Sequence, residues 1–150
     1  MILEITNDPE LVKSLMTDSE IWEKIKEDGI DKDSFNPIIR GHVIMLSAVV
    51  DELIGLHQFT DHGDKVLYHP ILLKRFRKEY GREFFANGIK WFFDNTKCDK
   101  LTAEIPVTDK STINLAKHLN FEEISTIENG VRKNNKLIDL KVLRLDRWAA

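Results

Sequence analysis

One cysteine, Cys98, is the only thiol in this chain of 150 residues. No disulfide can close within it, and a thiolate zinc site lacks its ligands. That usage fits a reducing setting, the cytoplasm. Long hydrophobic runs are missing as well, since none approaches the roughly 20 residues needed to cross a bilayer. The opening stretch MILEITNDPELV has neither the basic segment nor the apolar core of a signal peptide. A soluble protein with no membrane partner is the expectation. His42 and His62 share no ligand spacing with the other histidines, so no metal is expected. Nor does one sign of charge dominate: 22 Lys and Arg stand against 25 Asp and Glu, a net charge of −3. General affinity for nucleic acid is thereby disfavoured.

Charge is distributed unevenly, however. Lys74, Arg75, Arg77, Lys78 and Arg82 crowd the stretch 71–82 against Glu79 alone, which leaves the remainder distinctly acidic. The length suits one domain spanning 1–150, with no repeat, low-complexity tract or linker.

Periodicity gives the order of elements. Ile2 to Ile5 reads as a short strand. Asp8 and Pro9 then read as cap and first residue of a helix containing Leu11, Leu15 and Met16. Asp18 or Ser19 starts a second helix through Ile21, Trp22 and Ile25, which Gly29 should end. The region 30–38 reads as a loop. His42 to Val50, Leu53 to Phe59 and Lys65 to His69 form an antiparallel meander, with Asp61-His62-Gly63-Asp64 as its second turn.

From about Glu79 to Asn95 the period becomes helical, with Phe85, Ile89 and Phe92 on one face. Phe84, Phe85, Trp91 and Phe92 are expected in the core. Leu101, Ala103, Ile105 and Val107 alternate as a strand, and Ser111 to Leu119 forms a short helix. Phe121 to Ile127 and Leu137 to Leu145 are closing strands, separated by Asn129-Gly130 and Asn134-Asn135. The order β-α-α-β-β-β-α-β-α-β-β implies a mixed sheet with helices on both faces.

That order resembles the GNAT superfamily of acetyl-CoA-dependent N-acetyltransferases over nearly the whole chain. The segment Asp109-Lys-Ser-Thr-Ile-Asn-Leu-Ala-Lys-His-Leu-Asn-Phe121 is similar to the family pattern in which Asn begins a helix, Ser or Ala follows, and Leu-Gly-Phe ends it. Asp109 stands for the Asn, Thr112 for the Ser, and Asn120 for the Gly, since Asn tolerates the left-handed conformation. Lys78-Glu79-Tyr80-Gly81-Arg82-Glu83 resembles the family's pyrophosphate loop, although Glu83 stands where a small residue is usual. Within the superfamily, the chain resembles the branch that acetylates ribosomal-protein N-termini and GNAT-like proteins of phages. The phrases carrying this are Pro9-Glu10, Glu20-Ile21-Trp22, Glu27-Asp28-Gly29, Trp91-Phe92-Phe93 and Asn135 to Asp139. A phage-encoded protein would work in the host cytoplasm.

The resemblance implies a GNAT-like, mostly antiparallel sheet and transfer of acetyl from acetyl-CoA to an amine by direct attack on the thioester. The acceptor would be an amine-bearing small molecule or a protein N-terminus. It also implies that backbone N–H groups of a loop before the aromatic helix cradle the diphosphate. Arg77, Lys78, Glu79, Tyr80, Gly81 and Arg82 form that candidate site, with Asp109 and Thr112 as further cofactor contacts. Backbone N–H groups around Ile71, Leu72 and Leu73 would face the developing oxyanion. His69, at the end of the fourth strand, is the candidate base. Tyr68 points the other way, toward the core, and His57 is a candidate for the acceptor groove or a surface strand position. The Tyr that many relatives use as the thiolate's acid falls on Ala116. That departure keeps a second reading open, a catalytically inactive GNAT-shaped binding module such as a phage structural or host-interacting protein. A third, RNA binding through 74–82, sits poorly with the acidic net charge. The exposed Trp148 and the last strand leave room for a homodimer.

Overall fold

Seven strands form one sheet in the computed structural model, which describes residues 1–26, 28–33 and 42–150. They are β1 (Ile2–Ile5), β2 (Val43–Val49), β3 (Leu53–Asp61), β4 (Val66–Leu72), β5 (Lys100–Pro106), β6 (Glu122–Lys133) and β7 (Lys136–Asp146). The helices are α1 (Pro9–Met16), α2 (Ser19–Ile25), α3 (Lys74–Asn95) and α4 (Lys110–His118). The sheet runs β1-β2-β3-β4-β5-β7-β6, antiparallel throughout except where β4 meets β5. The expected order of elements and the mixed, mostly antiparallel sheet both hold. Of the loop expected over 30–38, positions 34–38 lie outside the described residues.

The helices cover both faces because alternate strand residues carry apolar side chains to each. Val12, Leu15, Met16 and Ile21 of α1 and α2 pack on Met45, Leu56 and Ile71. On the opposite face Ile89 and Phe92 of α3 and Ile113 of α4 pack on Phe59, Leu101, Ala103 and Leu143. Phe59, Phe84 and Phe92 are wholly enclosed, and burying each such ring stabilises by about 1.5–3 kcal/mol. Phe85 and Trp91 are only half-buried, unlike their expected core placement.

Several boundaries differ from expectation. β4 continues through Pro70 to Leu72 instead of ending at His69. α3 begins at Lys74, not Glu79, so the basic stretch is helix and not loop. Lys, Arg and Glu are good helix formers, and Gly81 takes a helical conformation within the run. α2 ends at Ile25, and Gly29, with its positive φ of 86°, follows four residues later. Asn129-Gly130 does not separate two strands. It lies inside β6, in a bulge between Ile127 and Val131. The turn is Asn134-Asn135, both with positive φ (53° and 61°), as a two-residue hairpin of this twist requires.

Candidate functional site

β4 and β5 are the two parallel neighbours, and their registered pairing is limited to Leu67 with Thr102. Beyond that point the strands part. Leu73 N–H donates to Ile54 C=O at 3.0 Å, which sets the ladder's alternation. Odd-numbered residues of β4 turn their backbone groups toward β3, and Tyr68, Pro70 and Leu72 turn theirs toward β5. Pro70 has no N–H to leave unpaired at the divergence. Leu72 C=O accepts from Arg77 Nε at 3.2 Å. Of the three expected oxyanion donors, Leu73 is spent on β3 and Ile71 turns toward β3. Leu72 N–H is the one directed at the gap.

A cavity of about 700 Å³ lies at this gap, lined by residues from both faces of the sheet. On the α3 and α4 side its wall includes Arg77, Gly81, Arg82 and Phe85, then Asp109, Thr112, Leu115 and Ala116. On the α2 side it includes Ile21, Glu23, Ile25, His69, Glu104 and Lys133. The structure thus gathers His69, Ile71, Leu72, Arg77, Gly81, Arg82, Asp109 and Thr112 from the sequence-derived set around one space. Lys78, Glu79 and Tyr80 are not among the lining residues, and Lys78 and Glu79 are exposed.

The expected backbone cradle at 78–82 is corrected by α3. Inside a helix each N–H is directed at the carbonyl four residues earlier, so those amides do not converge on an anion. At the helix start, Lys74 N–H donates to Glu20 Oε2 at 3.1 Å, and Phe76 N–H returns to Leu73 C=O at 3.0 Å. Any anion in the cavity would meet the guanidinium groups of Arg77 and Arg82 instead. Asp109 caps α4, accepting from Thr112 N–H at 3.3 Å and from the hydroxyls of Thr112 and Ser111 at 2.8 and 3.2 Å. Glu83, the departure from the loop pattern, lies away from the cavity, 3.9 Å from the N-terminal ammonium.

His69 faces the cavity and keeps solvent-accessible surface. Protein on both sides of the cleft desolvates its ring and lowers its pKa below the ordinary histidine value, and the Lys133 ammonium lowers it further. The imidazole is therefore neutral at pH 7 and able to accept a proton. Glu104 is held by Lys65 at 3.5 Å and Glu23 by Lys26 at 2.9 Å.

His57 is neither a groove residue nor a surface one. Its side chain is wholly buried on the α3 face, where burial lowers its pKa to about 3. Its ring stacks on Phe84 with centroids 3.9 Å apart, and Nδ1 lies 2.7 Å from the Tyr68 hydroxyl. Gly88 of α3 leaves it this room, because a Cβ there would strike the ring. Tyr68 is buried as expected, at 6 % exposure, yet it also forms part of the cavity wall. Nothing in its strand signalled the bond to His57, which joins two strands with the space left by a glycine on a helix.

The α2 side is closed over by the β6–β7 hairpin. Asp28 accepts from Asn134 N–H at 3.0 Å and Asn135 N–H at 2.7 Å, and its own N–H meets Arg132 C=O at 3.4 Å. This brings Lys133 to the cavity wall. No helix among the described residues is long and apolar enough to cross a membrane. Among those residues no three His, Cys, Asp or Glu side chains gather as metal ligands.

No family model matches the sequence, and no curated protein does. Solved structures do match. The spermidine N-acetyltransferase of Vibrio cholerae, in complex with CoA and spermine, superposes with a TM-score of 0.80 at 13 % identity, covering 99 % of this chain and 96 % of its own. The ribosomal-protein-alanine N-acetyltransferase of Brucella melitensis gives 0.75 at 15 % identity, covering 97 % and 99 %. At such identities the likeness shows architecture and leaves substrate open. With helices on both sides of a mostly antiparallel sheet split between β4 and β5, the chain has the fold of the GNAT acetyltransferases.

Proposed function

We propose that the chain binds acetyl-CoA in the β4–β5 gap and transfers acetyl to an amine. One observation carries the reading: a cavity lies at the split and is lined from both faces of the sheet, with Arg77 and Arg82 on one side and a neutral His69 on the other. The residues present fit the group. Arg77 and Arg82 offer charge to its phosphates, and the strand edge of β4 offers amide partners to its extended arm. Leu115, Ala116 and Phe85 supply apolar wall. Bound there, acetyl-CoA supplies an activated acyl thioester.

The chain's own part is to bring two reactants together and to handle charge. His69 accepts the proton lost by the attacking amine. Leu72 N–H donates to the carbonyl oxygen as negative charge grows on it. Ile21 and Ile25 restrict water on the acceptor side. The acceptor is an amine-bearing small molecule or a protein N-terminus, and a reducing cytoplasm suits the lone Cys98 thiol.

Acetyl-CoA should raise the melting temperature, and Arg77→Ala with Arg82→Ala should remove most of that rise. Transfer to an amine panel, read as thiol release, should accompany it. No melting response at millimolar acetyl-CoA sinks the proposal.

A second reading has its own support. The amides expected to cradle a diphosphate are inside α3, Glu20 occupies the helix start, and Ala116 offers no acid. These features suit a GNAT-shaped binding module without catalysis. Cofactor binding with no transfer to any amine would favour it.

A further inference from the structure

The cavity changes character along its length. At the open end, where β4 and β5 have parted, Arg77, Arg82, Asp109 and Thr112 make a polar mouth. Asp109 N–H donates to Pro106 C=O at 2.9 Å, which fixes the start of α4 at this end. The helix then runs back toward the closed end. Phe121 follows it and precedes Glu122, which is aligned with Thr102 through Arg144 of β7. Thr102 is the residue registered with Leu67, where the two strands still meet. From Asp109 to Leu119, α4 and its caps thus run from mouth to base over about 15 Å, at roughly 1.5 Å per residue.

The base is apolar. Its wall is Tyr68 and Ala103, the residues next after the Leu67–Thr102 pair, with Ala116, Leu119 and Phe121 from the α4 side. Ala103 and Ala116 belong to one core cluster, and two single-carbon side chains leave a recess that larger ones would close. The polar lining residues at this depth, His69 and Glu104, project from the opposite face, because successive strand residues alternate. Among the five side chains of the recess the polar atom is the Tyr68 hydroxyl, which lies 2.7 Å from His57 Nδ1. What such a recess recognises is alkyl surface.

We infer that the donor's acyl group is a linear alkanoyl chain longer than acetyl, of the butanoyl or hexanoyl class, and that this recess houses it. The inference rests on the acyl-transfer reading above. Leu72 N–H, the donor directed at a thioester carbonyl, lies four residues along β4 from Tyr68, about 13 Å at roughly 3.3 Å per residue. With phosphates at Arg77 and Arg82 and the carbonyl at Leu72, the space beyond the carbonyl carbon is the base of the cavity. A lone methyl group would leave most of it empty, and an unfilled apolar cavity costs stability. The chemistry is that proposed above. The amine nitrogen bonds to the carbonyl carbon, the C–S bond breaks with its electron pair leaving on sulfur, and His69 takes the amine's proton.

A series of acyl-CoA donors tests this, read as thiol release in the presence of one amine acceptor. From acetyl- to butanoyl- to hexanoyl-CoA, kcat/KM should rise by about four-fold for each methylene buried. Ala116→Leu and Ala103→Val fill the recess from helix and strand, so either should invert the ranking and put hexanoyl below acetyl. The ratio between donors is compared, so a general loss of cofactor affinity does not enter. A second readout needs no turnover. S-hexyl-CoA, a thioether that cannot transfer, should raise the melting temperature more than S-methyl-CoA, and Ala116→Leu should remove the difference. A wild-type preference for acetyl-CoA, or a ranking that neither substitution moves, would overturn the assignment and leave the transferase reading in place. Tighter S-hexyl-CoA binding with no transfer from any donor defeats the transferase reading alone. No transfer and no difference between the thioethers overturns both.

Discussion

Asp28 and Asn135 lie 107 positions apart in the chain, yet the Asp28 carboxylate accepts the Asn135 backbone N–H at 2.7 Å and that of Asn134 at 3.0 Å. One side chain thus fills both donors of a left-handed hairpin turn and anchors it to the segment after α2. Lys133, the residue before that turn, is thereby delivered to the cavity.

Removing this anchor should loosen the hairpin tip without unfolding the sheet. Asp28→Ala is expected to cost about 1–2 kcal/mol, the usual worth of charge-assisted bonds at a partly exposed site. Amide exchange is the direct measurement, with faster exchange expected at Asn134 and Asn135 and unchanged protection in β3 and β4.

Gly88 is a helix position where alanine should harm. Alanine normally gains up to about 1 kcal/mol over glycine in a helix interior. Here its Cβ would meet the His57 ring, which cannot retreat because Phe84 stacks against it. Gly88→Ala should therefore destabilise by about 1–3 kcal/mol, seen as a lower urea midpoint. Gly81→Ala, with open space at its Cβ, should be neutral or stabilising.

Arg147 closes the far end of α3. Its guanidinium donates to Phe93 C=O at 2.5 Å, Thr96 C=O at 2.9 Å and Cys98 C=O at 2.6 Å, and it lies over the Phe93 ring. Arg147→Ala should cost about 2–3 kcal/mol by leaving partly buried carbonyls without donors. Arg147→Lys should restore little, since an ammonium cannot span the three carbonyls as a planar fork does. Thermal unfolding of both variants tests this.

If His69 is the base, the acid limb of kcat/KM should fall below the ordinary histidine pKa, because desolvation and Lys133 both disfavour its charged form. Glu104 and Glu23 also border this part of the cavity, each paired to a lysine. Lys133→Met removes a repelling cation, so the limb should move to higher pH. Lys133→Arg should leave it in place. A limb that does not respond to Lys133 would remove His69 from the base's role.

Much of the fold was legible because it is local. Asp8 accepts from Glu10 and Leu11 N–H groups in front of Pro9, as the cap signal required. Asn120, with φ of 72°, takes the left-handed place expected after α4. The start of α3 was not legible, because its N-cap is Leu73, which carries no capping side chain. Its first N–H is met by Glu20, 54 positions away. Asn129-Gly130 looked like a turn for a related reason. Asp139 of the neighbouring strand accepts Asn129 N–H at 2.9 Å and holds that segment in a bulge.

The candidate site divides the same way. Its members from β4, α3 and α4 could be named from order and spacing, but whether they share a space depends on how two strands separate. His57 shows the limit most plainly: alternation places it on a strand, while Gly88 and Tyr68 decide that it is core.

Periodicity, caps and turn residues act over a few positions, so the chain's own order sufficed to specify its strands, its helices and their succession. The gap between β4 and β5, the clasp at Asp28 and the buried His57–Tyr68 pair came only with assembly. Each joins groups from separate elements, and their energies exist only once packing has brought those groups within a few ångströms of one another.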